Sequence, residues 1–315
     1  MPLFDLSART KIRLSGPDRL RFLNGQVTND VRKASPERAL AACIVNAKGK
    51  LDAMVYIAVE AEALFLDAEP ELRESLGPRL ERYIIADDVA LEDVSEQLAL
   101  FHVSEAEFVP PNDIVITNEG DALVSGDKDP ARAQPAQPVG CRRSKRFDIP
   151  GWDVVCPASE CDRLRELLAA HYPLCDAECA ERLRIERGLP RWGRELTNEI
   201  IPVEANLEAE AIDYAKGCYI GQEVISRMKM SGQTNKRLCG LISTSGEPLA
   251  VGMKLQPVAG GVDPGRQVGW ITSATRSERL GKEIALGFVK RGFNEAGTRL
   301  FAGGLEVEVV VLPFA

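Results

Sequence analysis

Long apolar runs are missing from this chain. The longest, at 39–45 and 309–313, fall far short of the roughly 20 residues a membrane-spanning helix requires, which points to a soluble protein. A positive charge balance is missing too: 39 Lys plus Arg against 47 Asp plus Glu leave a net charge of -8, with a pI near 5.1. An acidic chain has no general electrostatic grip on phosphate backbones or anionic lipid, so direct nucleic-acid binding is not expected and any anion site must be local. Histidine is almost absent, with only His102 and His171, so little Cys–His or His-based catalysis is on offer. Eight cysteines in 315 residues lie far below the ~8–10% of short secreted disulfide scaffolds, and no C-x-x-C occurs. Their expected state is free thiol in a reducing compartment. Residues 1–10 contain neither an apolar signal core nor an Arg- and Ser-rich leader, so the expected location is the cytoplasm. No internal repeat at a fixed period is visible.

What is present is globular. Hydrophobic residues make up 45% and charged residues 27%, and the length suggests two or three domains. A short strand at 11–14 leads through Ser15-Gly16-Pro17-Asp18 into a helix carrying Leu20, Phe22, Leu23 and Val27. Strands at 40–46 and 51–59 flank Ala47-Lys48-Gly49-Lys50, which reads as a hairpin turn. A helix at 71–82 and strands at 89–94 and 98–103 follow without regular βαβ spacing, which predicts a mixed α+β architecture. The Pro-, Ala- and Gln-rich stretch 127–140 reads as an excursion or linker. Helical periodicity covers 159–170 and 176–187. From Lys236 onward, short strands at 238–242, 267–271, 284–290 and 305–312 alternate with Gly and Pro turns and predict a small β-barrel. The expected division is therefore 1–235 and 236–315.

The densest motif is Lys216-Gly217-Cys218-Tyr219-Ile220-Gly221-Gln222-Glu223. Glycines on both sides of the thiol permit close backbone approach or positive φ. A helix at 222–228 would put Cys218 just ahead of a helix N-terminus, two residues from Lys216, and both would favour thiolate. The same residue could equally be a buried cysteine acting as a small hydrophobe.

This segment resembles the K-G-C-Y-x-G-Q-E signature of the YgfZ-type folate-binding proteins, relatives of the glycine-cleavage aminomethyltransferases. Further blocks agree in order: 16–18 and 22–30, 46–50, Arg82-Tyr83, 184–190 and 201–205. The resemblance covers nearly the whole chain. It implies an aminomethyltransferase-like folate-binding fold, a trefoil of two α+β domains with a C-terminal β-barrel. It also implies tetrahydrofolate or a one-carbon derivative as cofactor, and iron-sulfur enzymes or cluster-assembly proteins, including tRNA-modifying ones, as partners. The functional thiol would be Cys218. The ligand-binding set would comprise Glu186, Lys216, Gly217, Tyr219, Gly221, Gln222, Glu223, Arg227, Tyr83 and Asn46.

Glu186 has a chemical reason to belong there. A pterin presents an amide N–H beside an amino group, two adjacent donors that one carboxylate accepts in parallel. The alternative is a surface carboxylate paired with Arg182 at i−4. The blocks 24–30 and 46–50 are expected to shape the channel wall and cap turns. Tyr83 could stack on a ring or fill core, and Arg227 could face a folate tail or solvent. One departure bears on chemistry: where the aminomethyltransferases carry a catalytic aspartate after the Asn-x-x-Gly turn, this chain has Ala53 and Met54. Asp52 is adjacent, but neighbouring strand residues face opposite sides. Conventional catalysis is therefore not expected. The rival readings are a folate-dependent aminomethyltransferase or demethylase using another acid, and a thiol redox or scaffold protein. Cys156, Cys161, Cys175 and Cys179 are spaced too loosely for a paired metal site and read as buried structural thiols, with no metal expected. Arg142-Arg143-Ser144-Lys145-Arg146 reads as a solvated strand entrance, or a local contact for RNA or an acidic partner.

Overall fold

A computed structural model describes residues 2–105, 114–116, 121–124, 138–258 and 265–314. The chain forms two compact units, the first comprising Met1–Ile44, Ala53–Asp176 and Ala215–Tyr219, the second Val45–Asp52, Ala177–Tyr214 and Ile220–Ala315.

In the first unit the elements run β1 (Leu3–Asp5), β2 (Thr10–Ser15), α1 (Arg19–Gln26), β3 (Leu40–Val45), β4 (Leu51–Val59), β5 (Ala63–Ala68), α2 (Arg73–Glu81), β6 (Ala90–Asp93) and β7 (Leu98–Val103). They continue with β8 (Ile114–Ile116), β9 (Asp121–Val124), β10 (Pro138–Arg146), β11 (Ile149–Pro157) and α3 (Cys161–Ala169). Two sheets result, with strand orders β1-β7-β11-β10-β9-β8 and β3-β4-β5-β2-β6. Strand β4 shows why it forms: Leu51, Ala53, Val55 and Ile57 alternate into the core while Asp52, Met54 and Tyr56 are half-buried. The excursion expected at 127–140 lies outside the described residues up to 137, and its last three residues open β10 instead of a linker.

The basic run is solvated on one face only. Pairing of β10 with β11 makes its residues alternate, so Arg142, Ser144 and Arg146 are buried while Arg143 and Lys145 are exposed. Arg146 donates to both Asp67 oxygens on β5, at 3.2 and 2.7 Å, and through Nε and Nη2 to Asp153 on β11, at 2.8 and 2.7 Å. Asp153 also meets His102 Nδ1 at 2.9 Å, and Arg9 donates to Asp67. A basic stretch reads as surface until its acidic partners are known, and these lie 79 and 7 positions away.

The second unit contains α4 (Ala177–Glu186), α5 (Glu208–Ala211), α6 (Gln222–Ser231) and the strands β12 (Lys236–Ser243), β13 (Lys254–Pro257), β14 (Gly269–Ser277), β15 (Lys282–Lys290), β16 (Arg299–Ala302) and β17 (Leu305–Val310). The six strands close into a barrel in the order β12-β15-β14-β13-β16-β17, as the Gly- and Pro-punctuated strands predict. Its core includes Leu241, Leu255, Ile271, Val289, Leu300 and Val307. A bulge in β14 between Ile271 and Ser273 shifts the side-chain alternation by one residue. Ile271 and Ala274 thus both pack on the barrel core, and Ser273 and Ser277 point outward.

Two cysteines depart from the free-thiol expectation. Cys175 and Cys179 are disulfide-bonded, whereas Cys43, Cys141, Cys156, Cys161, Cys218 and Cys239 are free. Among the described residues no helix is long and apolar enough to cross a membrane, and no group of three His, Cys, Asp or Glu side chains could hold a metal ion.

Candidate functional site

The Lys216–Tyr219 segment belongs to the first unit, and its geometry follows from alternating anchors. Lys216 is buried, and its Nζ donates to the carbonyl oxygens of Asn24, Val27 and Asn29 at 2.6, 2.7 and 2.8 Å. Those three carbonyls lie at and just beyond the C-terminal end of α1, where an ammonium complements unpaired acceptors. Tyr219 is buried two residues beyond the next glycine, its ring centroid 5.2 Å from Lys216 Nζ. Between these anchors Gly217 and Cys218 are exposed, and Cys218 is the exposed member of the six free thiols. The alternative of a buried, hydrophobe-like Cys218 is thereby excluded. Lys216, expected to act on the thiol, spends its three N–H donors on carbonyls at and just beyond the end of α1.

Gly217 does not adopt positive φ, and a Cβ there would meet nothing within 4 Å. Gly221 does, at +79°, as the residue ahead of α6, and a Cβ on it would lie 2.4 Å from the Asn46 carbonyl oxygen. Asn46 closes the neighbouring hairpin turn: its Oδ1 accepts from the Lys48 and Lys50 amides at 2.9 and 3.3 Å. This matches the turn-capping role expected for 46–50. Gly49, at φ +71°, completes that turn, with Val224 of α6 2.9 Å from where a Cβ would stand. In the second unit, then, Asn46, Gly49 and Gly221 interlock, and only glycine permits the approach.

Glu186 ends α4 with its side chain 12% exposed, neither sealed nor free-standing. Its Oε1 accepts the Ser277 hydroxyl, and Arg279 Nε lies 4.0 Å from Oε2. Arg182, the partner proposed for a surface Glu186, sits 3.6 Å from Glu278 instead. The Glu186 carbonyl accepts from the Phe314 amide at 3.1 Å, and Arg279 holds the Phe314 carbonyl at 2.8 Å. Two residues back, Arg184 is buried and fully engaged: Nε and Nη2 to Glu181 at 2.9 and 2.6 Å, Nη1 to Glu195 at 2.9 Å, and Nη2 to Ser273 at 2.7 Å. Ser273 in turn donates to Glu195 at 2.6 Å. The last turn of α4 is thus bolted to the outer side of β14. Sequence reasoning missed Glu195, Ser273 and Ser277, because nothing local marks a serine whose partner lies 78 or 91 residues away.

Of the other candidates, Glu223 and Arg227 form an i,i+4 pair at 2.5 Å on α6 with both side chains mostly exposed, and Gln222 opens that helix. Tyr83 is half-buried with the Arg79 guanidinium 4.4 Å above its ring. The alternation of β4 places buried Ala53 opposite Asp52, as argued, but Met54 shares the Asp52 face. Opposite facing therefore disqualifies Asp52 at position 53 and not at position 54. His102 is fully buried against Asp153, its Nδ1 engaged with that carboxylate, and so does not offer a base to the exposed Cys218.

Residues 236–314 match the family described as the glycine cleavage T-protein C-terminal barrel domain. The chain is 28% identical over 307 residues to an aminomethyltransferase of Bacillus subtilis, spanning 94% of this chain and 81% of that one. It is 24% identical over 277 residues to the tRNA-modifying protein YgfZ of Yersinia pestis, spanning 87% and 80%. The structure aligns with the glycine cleavage system aminomethyltransferase T of Bartonella henselae at a TM-score of 0.80, over 100% of this chain and 86% of that chain, with 18% identity. The fold is accordingly that of the aminomethyltransferase T-protein, mixed α+β with a C-terminal six-stranded barrel.

Proposed function

We propose that this chain binds tetrahydrofolate or a one-carbon derivative and supports assembly or repair of iron-sulfur enzymes in the cytoplasm, including enzymes that modify tRNA, with Cys218 as its working thiol. Residues 1–235 would supply the folate-binding region and 236–315 the barrel. The observation that carries this reading is the presentation of Cys218: a lysine and a tyrosine locked into the fold hold one exposed sulfur between them. Such a display suits transient contact with a cluster or a client thiol better than it suits packing. The donor set of a pterin also fits Glu186, whose carboxylate keeps Oε2 and a remaining lone pair on Oε1 beyond the Ser277 contact. Bound tetrahydrofolate would supply a reduced ring able to carry one-carbon units. Glu186 would orient that ring, with Lys216, Gly217, Tyr219, Gly221, Gln222, Glu223, Arg227, Tyr83 and Asn46 as the surrounding set.

Similarity to aminomethyltransferases supports a second reading, a folate-dependent transferase, and the shared face of Asp52 and Met54 gives it a candidate acid. Three measurements test these readings. Glu186→Ala should abolish tetrahydrofolate binding by calorimetry, and unchanged affinity would reject the anchor. Cys218→Ser should keep folate affinity yet fail to restore iron-sulfur enzyme activity in a deletion strain, and full rescue would reject the thiol. Formation of methylenetetrahydrofolate from an amine donor, lost in Asp52→Ala, would instead establish the transferase.

A further inference from the structure

We infer that Ser277 is a positioning residue for the Glu186 carboxylate, and that the bulge in β14 exists to aim it. This rests on the reading of Glu186 as the pterin anchor and adds what holds that anchor in place.

The direction of the hydrogen bond is dictated by its surroundings. Ser277 is fully buried, and its Oγ accepts the Leu280 amide at 3.2 Å. With that acceptor position taken by a fixed backbone N–H, the hydroxyl proton turns to Glu186 Oε1. A donor locked onto one oxygen fixes one rotation of the carboxylate plane. The face left to a ligand is then an acceptor face, suited to paired N–H donors and unsuited to a ligand that offers lone pairs. Arg279 reinforces the orientation from the Oε2 side and, through the Phe314 carbonyl, ties the chain's last residues to the same turn.

The bulge supplies the aim. Side chains alternate along a strand, so in a regular β14 Ser273 and Ser277 would face the barrel interior with Ile271. The extra residue at Thr272 reverses this: Ser273 meets Arg184 and Glu195, and Ser277 meets Glu186. One inserted residue therefore turns two hydroxyls of a barrel strand toward the end of α4.

The test is calorimetric titration of tetrahydrofolate into the full-length protein and its Ser277→Ala, Ser277→Thr, Glu186→Gln and doubly substituted variants, with thermal unfolding followed in parallel. Ser277→Ala should weaken binding about tenfold, the scale of one lost hydrogen bond to a charged group. Ser277→Thr, which keeps the hydroxyl, should recover most of it. In the Glu186→Gln background the Ser277→Ala effect should shrink below about threefold, because the two residues act as one unit. A purely structural serine would give equal losses in both backgrounds and would overturn the inference, as would unchanged or tighter binding by Ser277→Ala. If Glu186→Ala leaves affinity intact, the anchor itself fails; if Glu186→Ala abolishes binding and Ser277→Ala does nothing, only the positioning role fails.

Discussion

The buried charge network of the first unit sets a sharp test in Arg146→Met. Arg146, Asp67 and Asp153 each expose 3% or less of their surface, and one guanidinium serves both carboxylates through four hydrogen bonds. Burial pushes the carboxyl pKa of Asp67 and of Asp153 upward, but Arg146, aided by Arg9 at Asp67 and by His102 at Asp153, outweighs it and holds both below the usual carboxylate range. Methionine keeps much of the volume and removes the charge, leaving two buried carboxylates undercompensated. Breaking a buried pair in this way costs about 3–5 kcal/mol. At roughly 2–4 °C per kcal/mol for a chain of this class, the melting temperature should fall by about 6–20 °C. The pH dependence has a definite sign. A carboxyl whose folded pKa is depressed stabilises the native state above its unfolded value near 4, and that contribution is lost as pH falls toward the folded pKa. The variant lacks this contribution and gains relief when its orphaned carboxyls protonate. Its deficit relative to the parent should therefore be largest at pH 7 and shrink toward pH 4. Urea unfolding read by Trp152 fluorescence, in a background with Trp192 and Trp270 replaced by Phe, reports on the unit concerned. A loss under about 1 kcal/mol at pH 7, or one that does not diminish on acidification, would refute the reasoning.

Thiol labelling and glycine replacement extend the tests. Native, unreduced protein should react with Ellman's reagent in a fast phase of one equivalent that disappears in Cys218→Ser; burial pushes the thiols of Cys43, Cys141 and Cys156 up to about 12, and that of Cys239 up to about 11. A fast phase surviving that substitution would contradict the assigned exposure. Gly221→Ala should cost roughly 3 kcal/mol, since it combines left-handed backbone with a Cβ forced against the Asn46 carbonyl, whereas Gly217→Ala should stay within about 1 kcal/mol. Equal costs at the two glycines, measured by denaturant midpoints, would show that the interlock with the 46–50 turn is not what Gly221 serves.

Features set by neighbours in the chain were legible from the sequence. Strands 51–59 and 98–103 have the boundaries expected from their apolar runs, and the β-barrel begins where short strands take over from helical periodicity. The hairpin turn at 46–50 and the start of α6 after Gly221 were readable because glycine and asparagine mark backbone geometry locally. Cys218 stood out as a candidate in the motif, but its exposure did not, since that depends on Lys216 finding three carbonyls more than 180 residues away.

Periodicity and turn chemistry act over a few residues, so the amino-acid order alone determined the α+β elements, the barrel and the candidate motif. Tertiary structure decided which polar groups are buried and with whom. It turned Arg146 of the basic run inward onto Asp67 and Asp153, and gave Glu186 a serine rather than Arg182. The physical reason is that a buried charge or hydroxyl is stable only beside its partner, and no local pattern carries the identity of a partner brought near by folding.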